Sequence, residues 1–392
     1  METVAIASSF SRRFESLNSL KDFTMTNSTC AIGFYVIVPG FNASQFLNDL
    51  ARSLSCQTYK GPKTVIFVDD GSNDDTLQLM KTIEVGDFKK HVLSIEHGGL
   101  SAARNAALAW VKKNTSDGYV LFLDADDMLE NNALQVIADH VKDKQHDVLA
   151  FTARVFFENS RVEQAQQSYK TYYQRSGSYP EALSGQEYLS AVLSNGDFRP
   201  SVCLQAFSTS FLKDNGLTFF PGIIHEDNLF SLMALLLAKK VKYIDYELYD
   251  RRVREGSILT ASEEAKSLNG YFYCILEAIR FICRNDLDVL SVKDCSIIFN
   301  MWRNSAIEQL NKLDQTKITE LVDDYPATDQ ILFNLLIQDC VKDRNQNELQ
   351  AEKMIAEAQI DIEKKVRAQF ENSVSFRLGR AITCIPRKLL GR

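Results

Sequence analysis

The sequence predicts an α/β protein: a mostly parallel sheet with helices on both faces, followed by a helical C-terminal region. Three observations carry this. Apolar runs at residues 33–38, 64–68 and 119–123 alternate with segments of helical spacing. Each run ends in turn chemistry rather than in a hairpin signal, so successive strands need crossover helices and a sheet covered on both faces. Beyond about Ala261 strand signals fade and helical patterning takes over. At 392 residues the chain exceeds a typical single domain. The expected division is a flexible tail over 1–30, an α/β domain over 31–260 and a helical region over 261–392.

The first strand, Gly-Phe-Tyr-Val-Ile-Val at 33–38, stops at Pro39-Gly40, and Phe46, Leu47, Leu50 and Leu54 then share one helical face. The second, Thr64–Val68, runs into Asp69-Asp70-Gly71-Ser72 and a helix from Asp74 to Ile83. A third strand near His91–Ile95 leads through Gly98-Gly99 into an alanine-rich helix over Ser101–Val111. Tyr119–Leu123 reads as a buried strand and Val148–Phe157 as another. Residues 172–180 read as a loop, Glu187–Leu193 as a short helix, Leu229–Ala238 as an apolar helix and Val241–Ile244 as a final strand. Pro326 is the clearest break in the helical remainder.

Hydrophobic residues make up 45% and charged residues 24%, the balance of an ordinary globular protein, and no apolar run reaches the ~20 residues needed to cross a bilayer. The eight cysteines form no CxxC pair, so neither a zinc site nor a disulfide framework is expected, and buried thiols in a cytoplasmic protein fit best. Sequons at Asn27, Asn42 and Asn114 then carry no glycan. A net charge of −7 argues against nucleic-acid binding. Against that acidity, the end of the chain carries Arg377, Arg380, Arg387, Lys388 and Arg392. Leu378, Ile382, Ile385 and Leu389 share a face there, so 375–392 reads as a basic amphipathic end, suited either to anionic lipid or to the acidic body of the protein. A further amphipathic helix is expected over Ala358, Ile362, Val366 and Phe370.

The residue pattern that points to chemistry is Phe122-Leu123-Asp124-Ala125-Asp126-Asp127. Carboxylates at the C-terminal end of a buried strand open into the crevice where α/β sheets bind ligands. Clustered carboxylates repel unless a cation lies near, and hard oxygen ligands favour Mg²⁺ or Mn²⁺. At the end of the first strand Pro39, Phe41 and Asn42 set an aromatic ring and an amide in the same crevice, with Phe41 suited to stack on a nucleobase. Asp69 and Asp70 offer one carboxylate to a base N–H and one to cap the next helix. Gly99-Leu100-Ser101-Ala102-Ala103-Arg104-Asn105 opens a helix from which Arg104 can face phosphate or base. Finally His225-Glu226-Asp227 enters an apolar helix, where Asp227 suits a general base and Glu226 orients it or raises its pKa, unless Asp227 merely caps the helix.

In this order the fragments Val38–Asn42, Val68–Ser72, Gly99–Asn105, Phe122–Asp127 and Glu226-Asp227 resemble the family 2 glycosyltransferases of GT-A fold, over roughly residues 33–255. Arg251–Ser257 resembles a segment found near the end of that domain in bacterial polysaccharide enzymes. The resemblance implies inverting transfer of a hexosyl group from a nucleotide-diphosphate sugar, most often a UDP-sugar, to a hydroxyl of a glycan or lipid-linked glycan, on the cytoplasmic side and peripheral to the membrane. It implies that Pro39, Phe41, Asn42, Asp70, Arg104, Asp124, Ala125 and Asp126 bind the nucleotide sugar and that Asp126 holds Mn²⁺ or Mg²⁺. Asp227 is implied as the base beside Glu226, with His225, Arg252 and Arg254 as acceptor or phosphate contacts. One departure is Gly40-Phe41, where the family more often has Tyr at the second position. A metal-dependent nucleotidyltransferase would use a similar carboxylate pair but would not need Asp227, and a silent binding subunit would not need Asp124, Asp126 and Asp227 together. The identity of the sugar, the acceptor and the oligomeric state is not written in these motifs.

Overall fold

The computed structural model describes residues 31–342 except 116, 143, 144, 182, 257–263, 286–288 and 324. For 289–291, 315 and 336–342 it describes the backbone alone. The expected tail and the amphipathic segments at 358–370 and 375–392 lie outside the described residues. Eight strands form one sheet: β1 Phe34–Gly40, β2 Lys63–Asp69, β3 Lys89–Ser94, β4 Tyr119–Phe122, β5 Met128–Leu129, β6 Val148–Phe157, β7 Gln205–Ser208 and β8 Val241–Val253. Their order is β3-β2-β1-β4-β7-β6-β8-β5.

The first half is parallel, β3-β2-β1-β4, as the alternation of strands and helices predicts. The connecting helices are α1 Leu47–Ser55, α2 Thr76–Thr82 and α3 Leu100–Asn114. β2 is buried at every position, which a strand covered on both faces requires. Register brings the strand ends level: Gly40 lies opposite Asp69, Asp69 opposite Ser94 and Ile37 opposite Phe122. The loops that follow β1, β2, β3 and β4 therefore open along one edge, and that edge is the crevice.

The second half is mixed. β7 runs antiparallel between β4 and β6, and β5 pairs antiparallel with β8, while β6 and β8 are parallel. β5 and β7 are absent from the sequence expectation because two and four residues carry too little periodicity to register. β8 extends nine residues past the expected Ile244. Its Asp-Tyr-Glu-Leu-Tyr-Asp-Arg-Arg stretch is too charged to read as a strand. Its register partner Arg154 satisfies the one acid it buries: the Arg154 Nε and Nη2 donate to both Asp250 oxygens at 3.0 Å.

The remaining helices are α4 Ala133–Val141, α5 Ser160–Ala165, α6 Gly185–Ser194, α7 Thr209–Asp214, α8 Glu226–Leu237, α9 Glu264–Asn285, α10 Val289–Leu310, α11 Gln315–Asp323 and α12 Ala327–Lys342. Pro326 stands between α11 and α12, as expected. α9 packs on α8 and on α10. A Cβ at Gly270 would sit 2.2 Å from the Ile224 carbonyl oxygen, so α9 approaches the loop before α8 more closely than any side chain allows. Among the described residues no helix is long and apolar enough to cross a membrane.

Candidate active site

The acid motif follows β4 directly, and β8 passes behind it. Asp124 accepts from Arg104 Nη2 on one oxygen and from Arg251 Nη1 on the other, both at 2.8 Å. Asp126 Oδ2 accepts from Arg254 Nε at 2.9 Å. Asp127, fully buried, accepts from the Tyr249 hydroxyl and the Arg252 amide at 2.7 Å, with Arg251 3.0 Å away. The repulsion that the sequence assigned to a cation alone is thus met by arginines of α3 and β8. Burial opposes charge on Asp124, yet Arg104 and Arg251 hold its carboxyl below the usual carboxylate range. Burial pushes Asp127 up, and its two acidic neighbours add to this against the pull of Arg251.

A cleft of about 710 Å³ opens in front of this motif. Pro39, Phe41, Asn42, Asp70, Asp124, Ala125 and Asp126 all line it, so the structure brings together every nucleotide-sugar candidate from the sequence except Arg104. Phe41 is 45% exposed and stacks on His97, with ring centroids 4.2 Å apart. Asn42 is exposed, takes a left-handed backbone, φ 49°, and accepts from the Asn73 amide on its side chain, so it shapes the loop at the cleft. Asp70 accepts from the amides of Gly98 and Gly99 at 2.8 and 2.9 Å and from His97 Nδ1, which pins the loop before α3 against the end of β2. Neither Asp69 nor Asp70 caps α2. Asp74 takes the Thr76 amide instead, because it lies two residues before it in an Asx turn.

Arg104 corrects the expectation of a phosphate or base contact. It is 2% exposed, and its guanidinium joins Asp124 to Glu226 Oε1 at 2.5 Å while packing over the Phe219 ring. Two carboxylates in a buried setting hold it there. Glu226 is correspondingly buried and turned into Arg104. Burial raises its pKa, against the arginine's opposition. Asp227, the next residue, is not the N-cap of α8; His225 occupies that position without a side-chain cap. Burial also raises the Asp227 pKa, Arg104 opposes the shift and Asp124 adds to it.

Asp227 lines a second cavity of about 550 Å³. The two cavities share Leu100, Asp124, Ile224, Glu226 and Arg251, and Asp227 belongs to the second alone. His225 sits at φ 68°, stacks on Tyr271 at 4.2 Å and shares a 2.7 Å hydrogen bond with Ser267. Burial pushes its pKa down to about 4, so the imidazole is neutral at pH 7 and offers no cation to a phosphate. Arg252 also departs from its expected contact. Its side chain joins Asp49 and the Asp126 carbonyl over the Phe156 ring, and it lines neither cavity. Arg254 lines the first cleft.

Period-two alternation along β8 accounts for the arginines. Arg252 and Arg254 lie on one face over Phe46, and Arg251 takes the other, towards Tyr173 and the acids. That alternation is the signal in the sequence that singles out Arg251. His97 and Tyr249 had none, since each acts through a partner distant in the chain.

Among the described residues no group of three or more His, Cys, Asp or Glu can hold a metal ion. Asp126 nevertheless fits a shared site. Mg²⁺-type cations commonly take one or two carboxylates and complete their shell with substrate phosphates and water.

Residues 35–199 match the sequence family described as Glycosyl transferase family 2. They form a family 2 glycosyl transferase domain. The chain is 27% identical over 239 residues to glycosyltransferase GlyA of Streptococcus pneumoniae, covering 57% of this chain and 31% of GlyA. To GlyG of the same organism it is 26% identical over 293 residues, 72% of this chain and 92% of GlyG. The crystal structure of Staphylococcus aureus TarS 1–349 in complex with UDP-GlcNAc superposes with a TM-score of 0.53 at 22% identity, over 79% of this chain and 80% of that one. It establishes a shared GT-A architecture. The chain spans about a third of the length of the first curated relatives it matches, 31% of GlyA and 37% of TarS. Asp227 and the β8 arginines lie beyond the residues that define the family 2 match.

Proposed function

We propose that this chain is an inverting glycosyltransferase that moves a sugar from a nucleotide-diphosphate donor, a UDP-sugar, to a hydroxyl of a glycan acceptor. The carrying observation is the pair of cavities that meet at Asp124, Glu226 and Arg251, with Asp227 facing only the second. One cavity suits a donor, the other an acceptor, and their junction is where a bond between them forms. The UDP-GlcNAc named in the TarS complex, and the glycosyltransferase names of GlyA and TarS, support the donor class and the reaction.

On this reading the base stacks beside Phe41 and His97, Asp70 keeps the 97–99 loop in place, and Asp124 meets the ribose. Asp126 would hold a divalent cation, which when bound neutralises charge on the departing diphosphate. Asp227 accepts the proton of the acceptor hydroxyl. The freed oxygen attacks the anomeric carbon from the face opposite the diphosphate, the C–O bond to phosphate breaks, and nucleoside diphosphate leaves with inversion at the sugar. A base with a raised pKa suits this, since it holds the proton more readily once transferred. We take residues 31–260 as the catalytic domain and the helices after it as a wall of the acceptor cavity. The basic segment 375–392 is proposed to bring the enzyme to anionic lipid where a lipid-linked acceptor is assembled.

A panel of nucleotide sugars incubated with the protein, Mn²⁺ and glycan acceptors tests the reading. Release of nucleoside diphosphate together with a glycosylated product is expected. Release of pyrophosphate instead would identify a nucleotidyltransferase.

A further inference from the structure

The second cavity contains four tyrosines, at 169, 172, 173 and 271, and three of them form an edge-to-face cluster. The Tyr169 and Tyr172 centroids lie 5.8 Å apart at 69°, and those of Tyr172 and Tyr173 lie 4.9 Å apart at 89°. Tyr172 is 45% exposed. Among the described residues no protein group hydrogen-bonds the hydroxyls of Tyr169, Tyr172 or Tyr173. An aromatic face beside an unpaired hydroxyl is complementary to a pyranose ring, which presents C–H groups on one side and hydroxyls at its edge.

Charge selects further. Arg104 and Arg251 are held by Asp124, Glu226 and Asp127. Arg199 donates to the carbonyls of Tyr172, Gly196 and Phe198, and Lys312 pairs with Glu308 at the exposed rim. The four cations of the lining are matched in number by four acids, Asp124, Glu226, Asp227 and Glu264. The lining therefore carries no net formal charge to draw in a polyanion. Tyr172 and Tyr271 line this cavity together with Asp227, which sets the aromatic wall around the proposed base.

We propose that this cavity is a subsite for a neutral, cyclic saccharide at the acceptor terminus, with its ring against Tyr172 and its attacking hydroxyl at Asp227. The proposal rests on the glycosyltransferase reading and narrows its acceptor class. A bare polyol-phosphate polymer presents no ring to these tyrosines. The cavity's 550 Å³ accommodates a sugar ring and part of its neighbour. Glu264, Ser267 and Tyr271 of α9 and Gln309 of α10 line its far side, so the helical region takes part in choosing the acceptor.

Saturation-transfer NMR on the full chain with UDP and Mn²⁺ tests this, using methyl glycosides of glucose, galactose and N-acetylglucosamine as probes and poly(ribitol phosphate) as competitor. At least one glycoside is expected to receive saturation at its ring protons and to lose about tenfold in affinity in Tyr172→Ala, while Tyr172→Phe retains most of it. Equal affinity in Tyr172→Ala, or displacement of the glycoside by the polyol phosphate at lower concentration, overturns the subsite. UDP affinity measured on the same samples checks the fold of each variant. Wild-type protein that binds UDP but no glycoside refutes the subsite alone, whereas protein that binds glycoside at Tyr172 but no UDP refutes the donor reading alone.

Discussion

Arg104 and Glu226, 122 positions apart in the chain, form a buried ion pair of 2.5 Å that ties helix α3 to the first residue of helix α8. Through its other nitrogen Arg104 also grips Asp124, so two acids at the junction of the cavities share one cation. Removing that cation leaves the buried Glu226 carboxylate uncompensated and Asp124 with Arg251 alone. Arg104→Ala is expected to lose about 3–5 kcal/mol of stability in urea denaturation, and the double variant Arg104→Met/Glu226→Gln to recover part of it. A single variant as stable as the parent contradicts the tie.

Asp227→Asn keeps the shape of the acceptor wall and removes its proton acceptor. Turnover should fall by about 10²–10⁴-fold with UDP affinity unchanged, measured by product formation and by calorimetry. Retained turnover moves the base elsewhere.

His225 links the site to pH. Unfolded imidazole titrates near 6.5, and in the fold burial holds it down to about 4. Between these values the unfolded chain binds a proton that the native chain refuses, so stability is lost as pH falls through that window and is unaffected above it. The limit is about 3 kcal/mol. His225→Asn tolerates the left-handed backbone and removes the titration. Urea midpoints at pH 7 and pH 4.5 should differ less in this variant than in the parent.

Phe41 and His97 present a stacked aromatic surface at the cleft mouth. Phe41→Ala should weaken UDP binding by roughly 1–3 kcal/mol, and Phe41→Tyr should not. A nucleotide bound equally by the alanine variant lies somewhere else.

Asp126 is paired with Arg254 but faces the cleft. Chelation is expected to weaken UDP binding by the parent about tenfold or more and to have little effect on Asp126→Asn. Equal chelator sensitivity in both would place the cation on other ligands.

The crevice was legible because three apolar strands end in turn residues. Such runs fix strand ends, and strand ends fix where Phe41, Asp70 and Asp124 emerge. Partnership was not legible. Whether Arg104 reaches a phosphate or two carboxylates depends on Glu226, whose helix the sequence shows but whose place against α3, 122 positions away, it does not. β8 hid behind its charges, because an Asp250 that reads as loop chemistry is satisfied in the fold by Arg154. The tyrosine wall lies in the irregular stretch after β6, where side-chain spacing follows no period that a sequence reading can use.

The passage of β8 behind the acids has a bearing on how this chain is cut. A fragment trimmed to the family span, ending at residue 199, would keep Asp124, Asp126 and Asp127 but discard Arg251, Arg252, Arg254 and Tyr249. Its front edge would be a row of anions with most of their counterweights amputated. Chimeras between relatives should therefore exchange the acid loop and the strand through residue 254 as one cassette.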